Sequence, residues 1–137
     1  SQYGSIFLNA DSTKTLVNAN QEYYVDFDTN GPSSGLTPNA GNWRIDIPAA
    51  GTYHINANIS VSVATACYLN FGVRMSNTLQ WSCRAAENIA STGSYVNMSV
   101  SGIVTTTGAT NFNCCMFTPD AGTAVTVRWG NLNVVKL

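Results

Sequence analysis

The chain has 137 residues and a formal net charge of -1, and only 9% of its residues are charged, against about 25% in an ordinary globular domain. No Lys/Arg cluster and no apolar run near the roughly 20 residues that cross a bilayer is present, which excludes a nucleic-acid binder, an anionic-membrane binder and a membrane-inserted helix. One self-supporting domain over residues 1–137 is expected, with Asn, Ser and Thr giving a polar but nearly neutral exterior.

In chain order, the polar start at residues 1–5 has no signal-peptide features, and a first residue Ser1 is read as either processing or excision from a longer parent. Strands are predicted at 5–9, 15–17, 22–28, 42–47, 52–63, 67–76, 94–107, 111–118 and 124–137, most of them separated by Gly, Pro, Asn or Ser clusters. The clearest signal lies at 42–63. Trp43, Ile45 and Ile47 share one parity, as do Tyr53, Ile55, Ala57, Ile59, Val61 and Val63, with Pro48 and Gly51 between the runs. That pattern describes two half-buried strands around a tight connection.

Parity also sorts the later strands. Cys67, Leu69, Phe71, Val73 and Met75 are predicted inward, with Tyr68, Asn70, Arg74 and Ser76 outward; Val96, Met98, Val100 and Val104 follow inward. In the last strand Val125, Val127 and Trp129 share one parity and Leu132 and Val134 the other, so a bulge is expected at Gly130. The one candidate helix is 82–89, inside the longest predicted non-strand stretch, 77–93. The whole is all-β, a sandwich or barrel.

Catalytic chemistry is sparse. His54, the sole histidine, has the parity that opposes the core, which fits a surface or subunit contact better than a general base. Asp26, Asp28 and Asp46 read as edge or turn residues. Cys67, Cys83, Cys114 and Cys115 lack zinc-site spacing, the glycines form no phosphate fingerprint, and no full calcium loop surrounds Asp28 and Asn30. No enzyme, metal or cofactor is expected. Cys67 and Cys114 lie on apolar faces, so free thiols are expected, the alternatives being a Cys67 to Cys114 or a Cys83 to Cys115 bridge.

The run Pro48-Ala-Ala-Gly51-Thr-Tyr53-His-Ile55 resembles the "Pro-x-x-Gly-x-Tyr-x-aliphatic" signature of the tumour necrosis factor and complement C1q globular-head superfamily. The likeness continues through Leu69 to Val73, Ser94 to Val104 and the closing strand at Trp129 to Leu137. It departs at Gly108-Ala109-Thr110, where family members usually carry Gly-Asp. The resemblance implies a jelly-roll sandwich of nine to ten antiparallel strands that assembles as a homotrimer.

A homotrimer would place Tyr24, His54, Tyr68 and Arg74, all of outward parity, at subunit contacts. Ligand-binding residues are sought in 77–93, where Trp81 offers an aromatic platform, Arg84 a bidentate donor, and Glu87 and Asn88 acceptors, the set that recognises a sugar. Low charge and reduced cysteines favour the C-terminal tip of a longer extracellular viral or bacterial fibre protein that binds a cell-surface glycan or receptor. The alternatives are a non-binding trimerisation cap, and a secreted complement- or cytokine-like ligand for a protein receptor.

Overall fold

The computed structural model describes residues 1–90 and 92–137. The described strands are β1 (Tyr3–Phe7), β2 (Ser12–Leu16), β3 (Tyr23–Tyr24), β4 (Thr29–Ser34), β5 (Thr37–Asn39), β6 (Arg44–Ile47), β7 (Gly51–Val63), β8 (Cys67–Met75), β9 (Thr78–Ile89), β10 (Val96–Thr106), β11 (Thr110–Phe117) and β12 (Thr123–Lys136). They form two antiparallel sheets. The first has the order β10-β7-β12-β1-β4, and β2 lies end to end with β1 along β12. The second has the order β5-β6-β11-β8-β9, and β3 lies end to end with β6 along β11.

The alternation in β7 builds the core. Tyr53, Ile55, Ala57, Ile59, Val61 and Val63 are all buried, together with Leu69, Phe71 and Val73 of β8 and Phe112, Cys114 and Met116 of β11. The Tyr53 ring meets Phe112 edge-on at 6.1 Å, and its hydroxyl donates to the Ala49 carbonyl at 2.9 Å. Burial of each such large side chain stabilises the fold by about 1.5–3 kcal/mol, and the hydrogen bond relieves the one polar atom that Tyr53 carries inward.

One open side of the sandwich is closed by β9 leaning on β10. Gly102 permits this approach, since a Cβ there would lie 2.3 Å from Cys83 Sγ and 2.9 Å from the Ser82 carbonyl oxygen. All four cysteines are free and buried. Cys114 pairs with Val73, which stands about 20 Å along β8 from Cys67 at strand rise, so those two sulfurs are far from bonding distance.

Several expectations are corrected. Residues 82–89 are no helix and 77–93 is mostly no loop: β9 runs through them to Ile89, while Ser91 lies outside the described residues. Only Tyr23–Tyr24 of the predicted strand 22–28 pairs with β11; the chain then crosses between the sheets, Val25 N–H donating to the Cys114 carbonyl and Asp28 N–H to that of Phe7. Buried Val25 and Phe27 plug the gap that this crossing opens.

Strands β4 and β5 escape the sequence pattern because they are polar and contain Pro32 and Pro38, which edge positions tolerate. Trp43 does not share the parity of Ile45 and Ile47. It caps the 3-10 turn Ala40–Asn42 with φ 58°, a left-handed conformation that carries its indole out to the surface. The bulge of β12 falls at Arg128, where pairing with β7 shifts between Val127 and Trp129; Trp129 therefore faces outward, 64% exposed, while Leu132 and Val134 stay buried.

Candidate functional site

Trp81, Arg84, Glu87 and Asn88 all lie on β9, at the free edge of the second sheet. Register slips strongly here: Gly72 pairs with Arg84 and Arg74 with Leu79, so β9 has four residues where β8 has only Val73. Trp81 rides on this protrusion, 74% exposed, and the Arg84 guanidinium lies over its ring at 3.9 Å. Beyond the slip, Arg84, Ala86 and Asn88 pair with Gly72, Asn70 and Tyr68. These six residues share the outer face of the sheet. Glu87 pairs with inward-facing Leu69 and so takes the opposite parity, which separates it from Arg84 rather than forming a local ion pair.

The four residues expected at subunit contacts divide between the two outer faces. Tyr24, Tyr68 and Arg74 belong to the second sheet and His54 to the first. Arg74 is not exposed as its parity predicts but 94% covered, at a relative exposure of 6%. Its guanidinium lies 4.5 Å from the Tyr24 ring centroid, donates from Nε to Asn113 Oδ1 at 2.8 Å and from Nη1 to Glu22 Oε1 at 3.4 Å. Nη2 has no partner.

Tyr24 stacks in turn on Trp43 at 5.2 Å, and Lys14 Nζ sits 5.5 Å from the Trp43 ring while donating to Asp26 Oδ1 at 2.7 Å. Arg44 pairs with Asp46 at 2.9 Å on the neighbouring strand. This layer of cations, carboxylates and rings covers Asn113 and Cys115, both fully buried although their parity is outward. Burial, with the Glu22 charge adding and Arg74 opposing, pushes the Cys115 thiol up to about 12.

The outer face of the first sheet is different in kind. Strand register sets its side chains in transverse rows: Ile103, His54, Val135 and Tyr3; then Ser101, Asn56, Asn133 and Ser5; then Ser99, Asn58, Asn131 and Phe7; then Asn97, Ser60 and Trp129. Amides and hydroxyls knit the middle rows. Asn58 Nδ2 donates to Asn131 Oδ1 at 2.8 Å, Asn133 Nδ2 to the same oxygen at 3.0 Å, and Ser5 Oγ to Asn133 Oδ1 at 2.8 Å; His54 Nε2 meets Ser101 Oγ at 3.0 Å.

These rows hold no Lys, Arg, Asp or Glu. Ile103, Trp129, Val135 and Tyr3 are exposed at their two ends. Two hollows open on this face, one of about 130 Å³ beside Asn58, Asn97 and Trp129 and one of about 260 Å³ beside Tyr3, Pro32 and Val135. The sequence reading passed over this face. The polar members of β7 and β12 at every second position, Asn56, Asn58 and Ser60 with Asn131 and Asn133, signalled it, but only register shows that they stand side by side.

No protein-family model and no curated protein matches the chain. Solved structures do. Over 100% of this chain and 94% of the other it is similar to Eiger TNF from S. frugiperda, with TM-score 0.69 and 10% identity. Murine APRIL matches over 99% of this chain and 98% of its own, with TM-score 0.66 and 11% identity. The globular domain of zebrafish complement 1qA protein matches over 100% and 98%, with TM-score 0.57 and 13% identity. At such identities the likeness speaks for architecture, and the conclusion is that this chain adopts the all-β jelly-roll fold of TNF- and C1q-like domains.

Proposed function

We propose that the chain is the homotrimeric head of an extracellular viral or bacterial fibre, one that binds a cell-surface glycan and catalyses nothing. The observation that carries this reading is the outer face of the first sheet, whose four rows hold no charged side chain and have Arg128 only at their margin, beside Trp129. A surface repeated around a threefold axis meets copies of itself, so any like charges on it would be brought together and desolvated. Rows of Asn and Ser between apolar ends avoid that cost, and their amides can hydrogen-bond to the neighbouring copy. Of the four residues expected at subunit contacts, His54 lies on this face. The position of Tyr24, Tyr68 and Arg74 on the opposite sheet favours a role in holding or flanking the ligand side.

The Trp81 edge then faces outward from such an assembly, with an exposed indole to stack on the apolar face of a sugar ring and the Asn70 and Asn88 amides farther along the same face to meet hydroxyls. A binding role also suits His54, whose neighbours across the sheet are Ile103 and Val135 rather than a carboxylate.

Sedimentation equilibrium of the purified protein, followed by a glycan array, tests the reading. A trimer that binds a defined set of saccharides, with Trp81→Ala abolishing binding at unchanged melting temperature, is expected. A monomer overturns the assembly, and a trimer silent on glycans and host envelopes leaves the fibre cap in its place.

A further inference from the structure

We infer that the saccharide held at the Trp81 edge is acidic, with a single carboxylate read by Arg84. This rests on the glycan-binding reading above and names its chemistry. Arg44 and Arg74 each have a carboxylate partner, at 2.9 Å and 3.4 Å. Among the described residues Arg84 and Arg128 have none; Arg128 lies between the Tyr95 and Trp129 rings at 5.1 Å and 5.2 Å, away from the Trp81 edge. The Arg84 guanidinium carbon lies 3.9 Å from the centroid of the Trp81 ring, a contact that uses none of its N–H donors for a carboxylate of the chain. A guanidinium held beside a ring in this way loses less freedom when a carboxylate arrives.

Short side chains run along the same outer face beyond Arg84. Gly72, Asn70 and Ala86 are small or short, and they lie between the Trp81 and Arg84 pair at one end and Tyr68 with Asn88 at the other. Gly72 itself is buried beneath Leu79 and Arg84, since a Cβ there would stand 2.6 Å from Leu79 Cδ1 and 3.2 Å from Arg84 Cβ, so the face open to a ligand is that of Asn70 and Ala86. From Arg84 to Asn88 the strand rises about 13 Å, the length of roughly two sugar rings. Tyr68, 46% exposed, supplies a second ring face at the far end.

Charge gives the ligand a direction. Asp120 accepts the Tyr68 backbone N–H at 3.0 Å, so negative charge sits at the Tyr68 end. Glu87 has the opposite parity from Arg84. An anionic group is therefore favoured at the Arg84 end and disfavoured at the other. One guanidinium in a chain of net charge -1 suits one carboxylate, whereas a polysulfated chain is bound by clustered bases, which this surface lacks.

The test uses the full chain in solution and matched pairs of oligosaccharides that end in a uronic or sialic acid, each compared with its methyl ester, by isothermal titration calorimetry. The acids should bind, esterification should weaken binding by about tenfold or more, and Arg84→Gln should remove that preference while neutral residues of the same saccharide still contact Trp81. Arg84→Lys should restore only part of it, because an ammonium cannot present two parallel donors. Equal binding of acid and ester by the unaltered protein, a measurement that needs no variant to fold, would overturn the inference and leave glycan binding intact. A preference for polysulfated chains over sugar acids would also overturn it. Failure of every saccharide to bind would remove both the inference and the reading beneath it.

Discussion

On the outer side of the second sheet, Lys14 and Asp26, Arg44 and Asp46, and Arg74 and Glu22 form three ion pairs, and two aromatic rings are layered between the cations. On the outer side of the first, four rows of side chains contain no Lys, Arg, Asp or Glu. Both surfaces are polar, and both are built on strands of the same alternation. What differs is where their polar groups find partners. Apart from Arg74 Nη2, the charged groups of that layer are paired within the chain, so it serves as a local cover that seals Asn113 and Cys115. The uncharged grid leaves amide donors and acceptors free between exposed apolar ends, a composition suited to contact with a copy of itself.

The largest effect should come from placing a charge in the grid. In the trimer proposed above, Val135→Asp would set one unpaired carboxylate in each subunit contact, and an uncompensated buried charge costs about 3–5 kcal/mol. Sedimentation equilibrium should then show monomer while far-ultraviolet circular dichroism is unchanged; a persisting trimer would show that this face is not the contact. Next in size is the charged layer itself. Arg74→Ala should lower stability by about 2 kcal/mol, less than the loss from a fully buried pair because Glu22 is partly exposed and can rehydrate. Chemical denaturation would measure it, and assembly should be unaffected.

Thiol chemistry sharpens the same contrast. Cys115 has outward parity yet is sealed by that layer, and a thiol pushed up to about 12 holds little thiolate at pH 8. It should resist a thiol reagent in the native protein and react measurably faster in Arg74→Ala, whereas Val135→Asp should leave its rate alone.

The smallest effect concerns Asp28, between the two faces. Burial alone would raise its carboxyl, but hydrogen bonds from the Asn9 amide, the Thr29 hydroxyl and the Ala10 amide outweigh that and hold it below the ordinary aspartate range. A carboxyl lowered in the folded state stabilises above its unfolded pKa, and the contribution is lost as pH falls through the folded one. Asp28→Asn should therefore melt slightly below the unaltered protein at pH 7, and the difference should vanish in strong acid.

How much of this was legible beforehand follows from where alternation survives. β7 sits mid-sheet with one side on the core, so every second residue is apolar and its face could be read directly. β9 lies at an edge and slips by several residues around Trp81, which changes parity within one strand and erases the period that marks it. Trp43 and Trp129 misled for a related reason. A left-handed residue and a bulge each turn a side chain over without any change in the local sequence pattern. The choice of Trp81, Arg84 and Asn88 rested on chemistry rather than period, and the structure gathers those three along one edge. It leaves Glu87 on the other side. The tyrosines and Arg74 could not be placed from parity, because parity distinguishes in from out but not which of two sheets is meant.

The margins of the sandwich carry one more consequence. Pro32 lies within β4 and Pro38 within β5, the slip at Trp81 deforms β9, β10 is shielded by β9, and the further border strands β2 and β3 are short. A molecule with so flat and neutral a side would otherwise be in danger of zipping strand to strand into open-ended polymer. With these borders blunted, strand-to-strand addition is disfavoured, and any self-recognition would have to use the broad side of the sandwich, where a closed ring would limit its extent.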